Sequence, residues 1–233
     1  MNIRVKSFFQ DLFRTSPKIY VFHHIPKCAG TSIKLELNRY FDLVPDYLKM
    51  EESTRHAPTS ARKDLKNFKE NQLLSGHFEL PENHLHGRYP EILQKPWKYK
   101  TFTIMRDPLD LRISLYYYEI KKGRINPSTE TLPENLLKRP NYISGVLPCT
   151  YKNYMQVLSR YHFIGIQEHM DETIKRLGDF LGKELFVPKL NQSRRDRQIE
   201  DLDDGIITKF KKINALDYAV YNHALKVFMN GIS

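Results

Sequence analysis

Short apolar runs alternate with helical patterns along the first half of the chain. Ile19 to Phe22 is a run of apolar and β-branched residues, which is typical of a buried strand. Pro26 and Gly30 then interrupt the pattern, and from Ser32 onward apolar residues recur at helical spacing. The pattern therefore predicts a strand, a small-residue loop and a helix in direct succession.

Later segments repeat this alternation. Three further apolar runs are predicted strands: residues 72–76, 97–105 and 161–168. Asp107 fits a helix N-cap and Pro108 the first helical position, so a helix should follow the second of these runs. Another helix is predicted over 170–181, with Gly182 as its stop. We expect an α/β fold with three layers, P-loop-like, in which helices cover a mostly parallel central sheet.

The remaining segments are predicted to be helical or irregular. Residues 1–16 form a basic amphipathic helix that either packs on its own domain, which we favour, or lies on a membrane surface. Residues 42–70 are predicted to be a loop followed by a short helix from about Ser60. Residues 121–160 are a helical insertion, and 205–229 form one or two amphipathic helices. All of these are assigned to one domain, residues 1–233.

Composition limits the class of protein. The chain has 233 residues, 40% of them hydrophobic and 12% aromatic, which suits one globular domain and excludes a disordered chain. The net charge of +10 favours an anionic partner, such as a nucleotide, an acidic polysaccharide, a nucleic acid or a membrane surface. Charge alone does not choose among these partners.

The cysteines and the apolar runs restrict the chain further. Cys28 and Cys149 allow at most one bridge, and neither belongs to a spaced Cys/His cluster of the zinc-binding kind. No run of 18 apolar residues is present, and the start of the chain lacks the apolar core of a signal peptide. We therefore expect a cytoplasmic protein without a transmembrane segment.

The loop after the first strand has the chemistry of a phosphate cradle. A helix N-terminus carries about half a positive charge and presents unpaired N–H groups to an anion. Gly30 allows close approach of the backbone, Thr31 and Ser32 offer hydroxyl donors, and Lys27 offers a mobile charge. In the common kinase and ATPase loop a lysine directly follows the last glycine, whereas here Thr31 does. An ordinary strand-to-helix turn is the alternative interpretation.

A second basic site follows the strand over 97–105. Arg106 stands at the strand end and can hold a phosphate through two parallel N–H bonds. Ser114, two helical turns further on, can donate another hydrogen bond. Asp107 could also mimic the magnesium-binding acid of a nucleotidase, but an arginine before it and a proline after it fit that role poorly. A simple capped helix is the remaining alternative.

These motifs resemble those of a known enzyme family. His24-Ile-Pro-Lys-Cys-Ala-Gly-Thr-Ser32 resembles the 5′-phosphosulfate loop of sulfotransferases that use 3′-phosphoadenosine 5′-phosphosulfate (PAPS). The similarity is to the carbohydrate branch that contains the heparan and uronosyl 2-O-sulfotransferases and their bacterial relatives. The segment from Arg106 to Ser114 resembles the 3′-phosphate motif, and Gly76-His77-Phe78 resembles the segment that carries the catalytic histidine. The resemblance runs in order along nearly the whole chain.

The resemblance implies a reaction and a set of roles. A sulfuryl group would pass from PAPS to an acceptor hydroxyl, on a sugar or another molecule that can be anionic, without a metal and with adenosine 3′,5′-bisphosphate as product. His77 would be the base, with Glu79 in reserve, and Lys27 would stabilise the leaving group. The cofactor would be held by Lys27, Cys28, Ala29, Gly30, Thr31, Ser32, Arg106 and Ser114. Arg194 and Arg195 would contact the substrate, and His23 and His24 could orient the sulfate.

Two other functions stay open at this point. A P-loop kinase would bind ATP with magnesium, and a non-catalytic basic protein would bind polyanions. No recognised nucleic-acid motif is present, so we expect no nucleic-acid partner. Animal members of the resembled family are anchored Golgi proteins, so a trimmed chain would belong in the Golgi lumen. The sequence does not indicate the acceptor or the oligomeric state.

Overall fold

A five-stranded parallel sheet forms the centre of the protein. The computed structural model describes residues 18–47, 61–186 and 202–231. The strands are β1 Ile19–His23, β2 Asp42–Asp46, β3 Gln72–Gly76, β4 Tyr99–Met105 and β5 Phe163–Ile166. They lie in the order β2-β3-β1-β4-β5, and every neighbouring pair is parallel. The predicted α/β fold is confirmed, with a described sheet that is parallel throughout.

Helices surround this sheet. They are α1 Gly30–Leu37, α2 Leu85–Arg88, α3 Glu91–Gln94, α4 Pro108–Lys121, α5 Leu132–Leu136, α6 Tyr142–Val146, α7 Tyr154–Leu158, α8 Met170–Leu181, α9 Asp204–Ile213 and α10 Ala215–Asn230. All residues from Thr101 to Met105 in β4 are buried. Successive side chains of a strand point to opposite faces, so both faces of the sheet are covered.

Two helix boundaries follow directly from local sequence. Asp107 is the N-cap of α4 and accepts hydrogen bonds from the amides of Leu109 at 2.8 Å and Asp110 at 3.3 Å. Pro108 occupies the first helical position, where its missing N–H removes no helical bond. At the other end of the domain, α8 ends at Gly182, whose φ of 65° is left-handed. Both boundaries agree with the sequence prediction.

The segment after α1 differs from the prediction of a loop followed by a helix. Asp42–Asp46 forms β2, which pairs with β3 along its whole length and ends the described sheet. Pro45 lies within this strand, and an edge strand tolerates a proline because one side of it needs no ladder bonds. Residues 61–64 are not helical, and only a 3₁₀ turn follows at Leu65–Asn67, so the predicted helix is wrong for the described residues.

The insertion between α4 and β5 contains the short helices α5, α6 and α7. Arg112 of α4 is buried and donates hydrogen bonds to the carbonyls of Asn135, Lys138 and Arg139 at 2.7–2.9 Å. These bonds satisfy carbonyl groups at and just after the C-terminal end of α5. One buried guanidinium therefore fastens the insertion to the helix that follows β4.

A second buried charge fixes α6, which the sequence did not predict. Asp217 of α10 is 1% exposed and accepts hydrogen bonds from the amides of Ile143 and Ser144, both at 2.8 Å. Its carboxylate also accepts from the Ser144 hydroxyl at 2.7 Å. The carboxylate lies at the positive end of α6, where a negative charge is stabilising. The C-terminal helix thus holds Tyr142, the first residue of α6, in place.

Some predicted features lie outside the described residues. These are the helix over 1–16 and the basic residues Arg194 and Arg195. Within residues 18–47, 61–186 and 202–231, no helix combines the length and the apolar character needed to cross a membrane.

Candidate functional site

Three adjacent strands bring the predicted motifs to one edge of the sheet. His23, the last residue of β1, pairs with Gly76 of β3 on one side and with Thr103 of β4 on the other. The loop after β1, His77 after β3 and Arg106 after β4 therefore leave the sheet at the same carboxyl edge. After β1 the chain continues to β2 and β3, which lie beyond β1 towards one edge of the sheet, and after β4 it continues to β5 at the other edge. Such a reversal opens the kind of crevice where α/β proteins bind ligands.

The loop after β1 is tightly wound and leads directly into α1. Lys27 has a φ of 66° and Ala29 a φ of 56°, left-handed conformations that cost roughly 1 kcal/mol each for residues with a side chain. Ala29 is the N-cap and its methyl group makes no capping hydrogen bond. The first turn of α1 also contains no acidic residue. Neither the N-cap nor the first turn of α1 therefore supplies an acidic group to the positive end of this helix, as the predicted anion site requires.

Gly30 is required by a ring packed against it. A Cβ atom at this position would lie 1.7 Å from Nε2 of His24. The His24 imidazole stacks on Phe22 at a centroid distance of 5.4 Å, and its Nδ1 lies 3.0 Å from Nε2 of His77. His24 is thus a bridge between the start of α1 and the predicted base. Sequence analysis named His24 as a residue that could orient the sulfate but did not predict its contact with His77, because the contact joins positions 53 apart in the chain.

His77 lies at the end of β3 with both ring nitrogens close to other polar groups. Its Nδ1 is 3.6 Å from Oε2 of Glu79, and its side chain is 31% exposed. Burial, with a smaller contribution from the Lys34 charge, lowers the pKa of His77 to about 4. The ring is therefore neutral near pH 7 and can accept a proton.

Glu79, the reserve candidate, is held by a tyrosine. The Tyr142 hydroxyl donates a hydrogen bond to Oε1 of Glu79. Burial raises the pKa of this carboxyl group, and the negative charge of Glu119 raises it further, while the Tyr142 hydrogen bond opposes both. Both candidate bases therefore lie side by side, and the choice between them stays a prediction.

The backbone that carries His77 is braced by a residue that sequence analysis missed. Asn83 is 2% exposed; its Nδ2 donates to the His77 carbonyl at 3.3 Å, and its Oδ1 accepts from the Leu80 amide at 2.9 Å. Close by, Asp46 at the end of β2 accepts hydrogen bonds from Arg88 at 2.8 Å and from the Tyr89 hydroxyl at 2.6 Å. Hydrogen bonds therefore hold the segment after β3 both internally and to the end of β2.

Arg106 and Lys27 come together at the opposite side of the loop. Arg106 is 2% exposed and its NH1 donates to the Lys27 carbonyl at 3.3 Å. The Lys27 ammonium lies 4.5 Å from the centroid of the Tyr118 ring on α4. Ser114 stands one helical turn before Tyr118 and so shares its face of α4. Ser114 is thus on the face of α4 that borders the loop, and Arg106, just before α4, contacts the loop itself.

Not every predicted residue has a free side chain in the site. Cys28 is 1% exposed, and burial raises the pKa of its thiol, so only its backbone can meet an anion. His23 is also 1% exposed, and its Nδ1 lies 2.7 Å from the Tyr161 hydroxyl, so its ring lies in the core, and its role in orienting a sulfate stays a prediction. Thr31 is exposed and Ser32 half-buried at the start of α1.

A further cation stands near the two histidines. Lys34 on α1 is half-buried, and its ammonium lies 4.7 Å from the centroid of the Tyr47 ring. The Tyr47 ring is in turn 4.7 Å from that of His77. Among the described side chains, no three His, Cys, Asp or Glu residues are grouped so as to hold a metal ion. Lysine, arginine and the start of α1 are the positive groups that the described residues offer to an anion here.

Comparisons with known proteins bear on the fold. No protein-family model and no curated protein sequence matches the chain. Among solved structures, a sulfotransferase from Alicyclobacillus acidocaldarius matches with a TM-score of 0.51 and 14% sequence identity. The match covers 89% of this chain and 95% of that one. The protein is therefore similar in fold to a sulfotransferase over most of both chains.

Proposed function

We propose that the protein is a sulfotransferase that uses PAPS and sulfates a hydroxyl group of a carbohydrate. One observation carries the proposal. The His24 ring packs against Gly30 at the start of α1, and its Nδ1 lies 3.0 Å from Nε2 of His77. An anion-binding helix start and a neutral base are thereby connected by one side chain. The fold shared with a sulfotransferase supports the same conclusion.

The residues present fit a doubly phosphorylated nucleotide. Gly30 lets the His24 ring pack against the start of α1, and the first turn of α1 carries no competing acid. Lys27 and the hydroxyls of Thr31 and Ser32 would hold the 5′ end. Arg106 and Ser114 would hold the 3′-phosphate, which distinguishes this nucleotide from ATP. When bound, PAPS supplies an activated sulfuryl group with a 5′-phosphate as leaving group.

The chain would contribute a proton acceptor and a positive charge. His77 would take the proton of the acceptor hydroxyl at a ring nitrogen: the O–H bond breaks, an N–H bond forms, and the electron pair stays on the oxygen. The Lys27 ammonium would neutralise negative charge that grows on the leaving 5′-phosphate. Positioning and charge stabilisation of this kind are the main sources of rate in related phosphoryl transfers.

Ligand binding tests the donor site directly. Adenosine 3′,5′-bisphosphate at about 100 times its dissociation constant should raise the unfolding free energy by about 2.7 kcal/mol, which thermal shift and calorimetry can measure without a metal. Lys27→Ala should weaken this binding, whereas Lys138→Ala, which changes an exposed lysine paired with Glu130, should leave it unchanged. Preference for ATP with magnesium would favour a kinase. Salt-sensitive binding of polyanions, without binding of either nucleotide, would favour a basic binding protein.

The acceptor needs a separate experiment. Radiolabelled sulfate on PAPS can be followed into a panel of neutral and acidic oligosaccharides, with simple alcohols as the comparison. Transfer to oligosaccharides supports the carbohydrate proposal. Transfer only to simple alcohols would keep the sulfotransferase and reject the carbohydrate.

A further inference from the structure

We propose that His24 decides which ring nitrogen of His77 can accept a proton, and that an anion bound at the start of α1 sets this decision. The inference rests on the proposed function and adds a positioning residue to it. It follows from three contacts: Nε2 of His24 against Gly30, Nδ1 of His24 against His77, and His77 against Glu79.

The 3.0 Å contact between the two imidazoles allows two arrangements of the protons. In the first, Nδ1–H of His24 donates to Nε2 of His77. The proton of a neutral His77 ring then sits on Nδ1, facing the carboxylate of Glu79 at 3.6 Å. Both nitrogens of His77 are occupied in this arrangement, so the ring has no lone pair for an acceptor hydroxyl.

The second arrangement reverses the direction of the hydrogen bond. Nε2–H of His77 now donates to Nδ1 of His24, and the Nδ1 lone pair of His77 becomes available. The proton of His24 then lies on its Nε2, the nitrogen packed against Gly30. Only this arrangement makes His77 the base.

An anion at the start of α1 would favour the second arrangement. Nε2 of His24 makes no hydrogen bond within residues 18–47, 61–186 and 202–231. If this nitrogen carries the proton, it can donate to a phosphate or sulfate oxygen; if it carries the lone pair, it repels that oxygen. Without an anion, Glu79 favours the first arrangement because it attracts a proton to Nδ1 of His77. Binding of the sulfuryl donor at the start of α1 would therefore make the Nδ1 lone pair of His77 available to act as the base.

The surroundings keep both rings neutral, which makes the choice one of tautomers. Burial lowers the pKa of His24 to about 2, and the positive charges of Lys34 and Lys27, with those that His77 and His23 would carry if protonated, add to that effect. Lys34 is also the charged neighbour that lowers the pKa of His77. Glu79 is the acidic group that faces His77. A neutral ring carries one proton, so its position on Nδ1 or Nε2 is the variable.

The test uses nitrogen NMR of protein labelled with nitrogen-15 at histidine. On addition of adenosine 3′,5′-bisphosphate, we expect the His77 signals to change so that Nε2 carries the proton and Nδ1 is unprotonated. His77→Gln assigns these signals. If the bisphosphate binds and Nδ1 of His77 remains protonated, the inference is wrong while the proposed donor site stands. If the bisphosphate does not bind, the proposed function fails and the inference fails with it.

Two variants test whether His24 controls the position of the proton on His77 or only packs against its neighbours. His24→Phe keeps a ring on Phe22 but removes both nitrogens, so His77 should keep its proton on Nδ1 with and without the bisphosphate. His24→Asn keeps a polar group near the position of Nδ1 that can either accept from or donate to Nε2 of His77, so it isolates the loss of the Nε2 donor. Both variants lose the Nε2 donor and should bind the bisphosphate about tenfold more weakly. A ligand-induced change at His77 that survives in His24→Phe would overturn the inference.

Discussion

His23→Phe should remove a defined part of the acid sensitivity of the fold. His23 ends β1 between the other strands and is 1% exposed, with its ring edge-on to Phe78 at 5.3 Å. Burial lowers its pKa from 6.5 to about 3, and nearby positive charge on His86, His77 and His84 adds to the shift. Between about pH 3 and pH 6.5, His23 is therefore neutral in the folded protein and protonated in the unfolded chain.

The size of the effect follows from the difference between the two pKa values of His23. Since the folded pKa is lowered, the stability is complete above pH 6.5 and is lost as the pH falls towards about 3. Each pH unit in this window costs about 1.4 kcal/mol, so His23 alone should remove about 2 kcal/mol between neutral pH and about pH 5. This is a large share of a typical stability of about 5–15 kcal/mol.

Urea unfolding at about pH 7.5 and about pH 5 measures this loss. The loss between these pH values should be about 2 kcal/mol smaller in His23→Phe than in the native sequence. Any pH-independent cost, such as the lost contact with the Tyr161 hydroxyl, cancels in this comparison. His169→Gln changes an exposed histidine and should keep the native pH dependence. An unchanged pH dependence in His23→Phe would refute the reasoning, because His23 would then be protonated without unfolding.

Further predictions concern the donor site and the base. Lys27→Ala should reduce turnover about 10²-fold or more, because one charge-stabilising group is lost, and near-normal turnover would exclude that role. Arg106→Ala should chiefly weaken binding of adenosine 3′,5′-bisphosphate, and unchanged calorimetric affinity would reject the phosphate assignment. His77→Ala should abolish turnover and leave bisphosphate binding intact; persistent activity that Glu79→Ala then removes would reassign the base. Gly30→Ala should displace the neighbouring imidazole and abolish bisphosphate binding. Normal affinity in a folded variant would reject the loop after β1 as the phosphate-binding site.

Much of the fold was predictable because its signals are local. The buried parallel strands are continuous apolar runs, and the N-cap Asp107 and the stop at Gly182 mark helix ends within a few residues of chain. β2 was missed because it opens a segment, 42–70, that is rich in charged and polar residues, and because it lies at the end of the described sheet. α6 was missed because its start is held by Asp217, more than 70 residues away.

The candidate site was predictable only in outline. Motifs at the ends of three strands placed Lys27, His77 and Arg106, since parallel strands end at one edge of the sheet. The contact of His24 with His77 and the brace from Asn83 depend on how loops fold back on each other. No spacing in the sequence encodes such contacts.

β2 also has a consequence for how the protein avoids self-association. It is the terminal strand of the described sheet, and an unpaired strand edge can recruit a strand from another molecule. Pro45 is exposed and removes one backbone donor from this strand of five residues, while Asp42 places an exposed charge at its start. The proline in β2 thus removes one of the backbone donors that edge-to-edge pairing with another molecule would use.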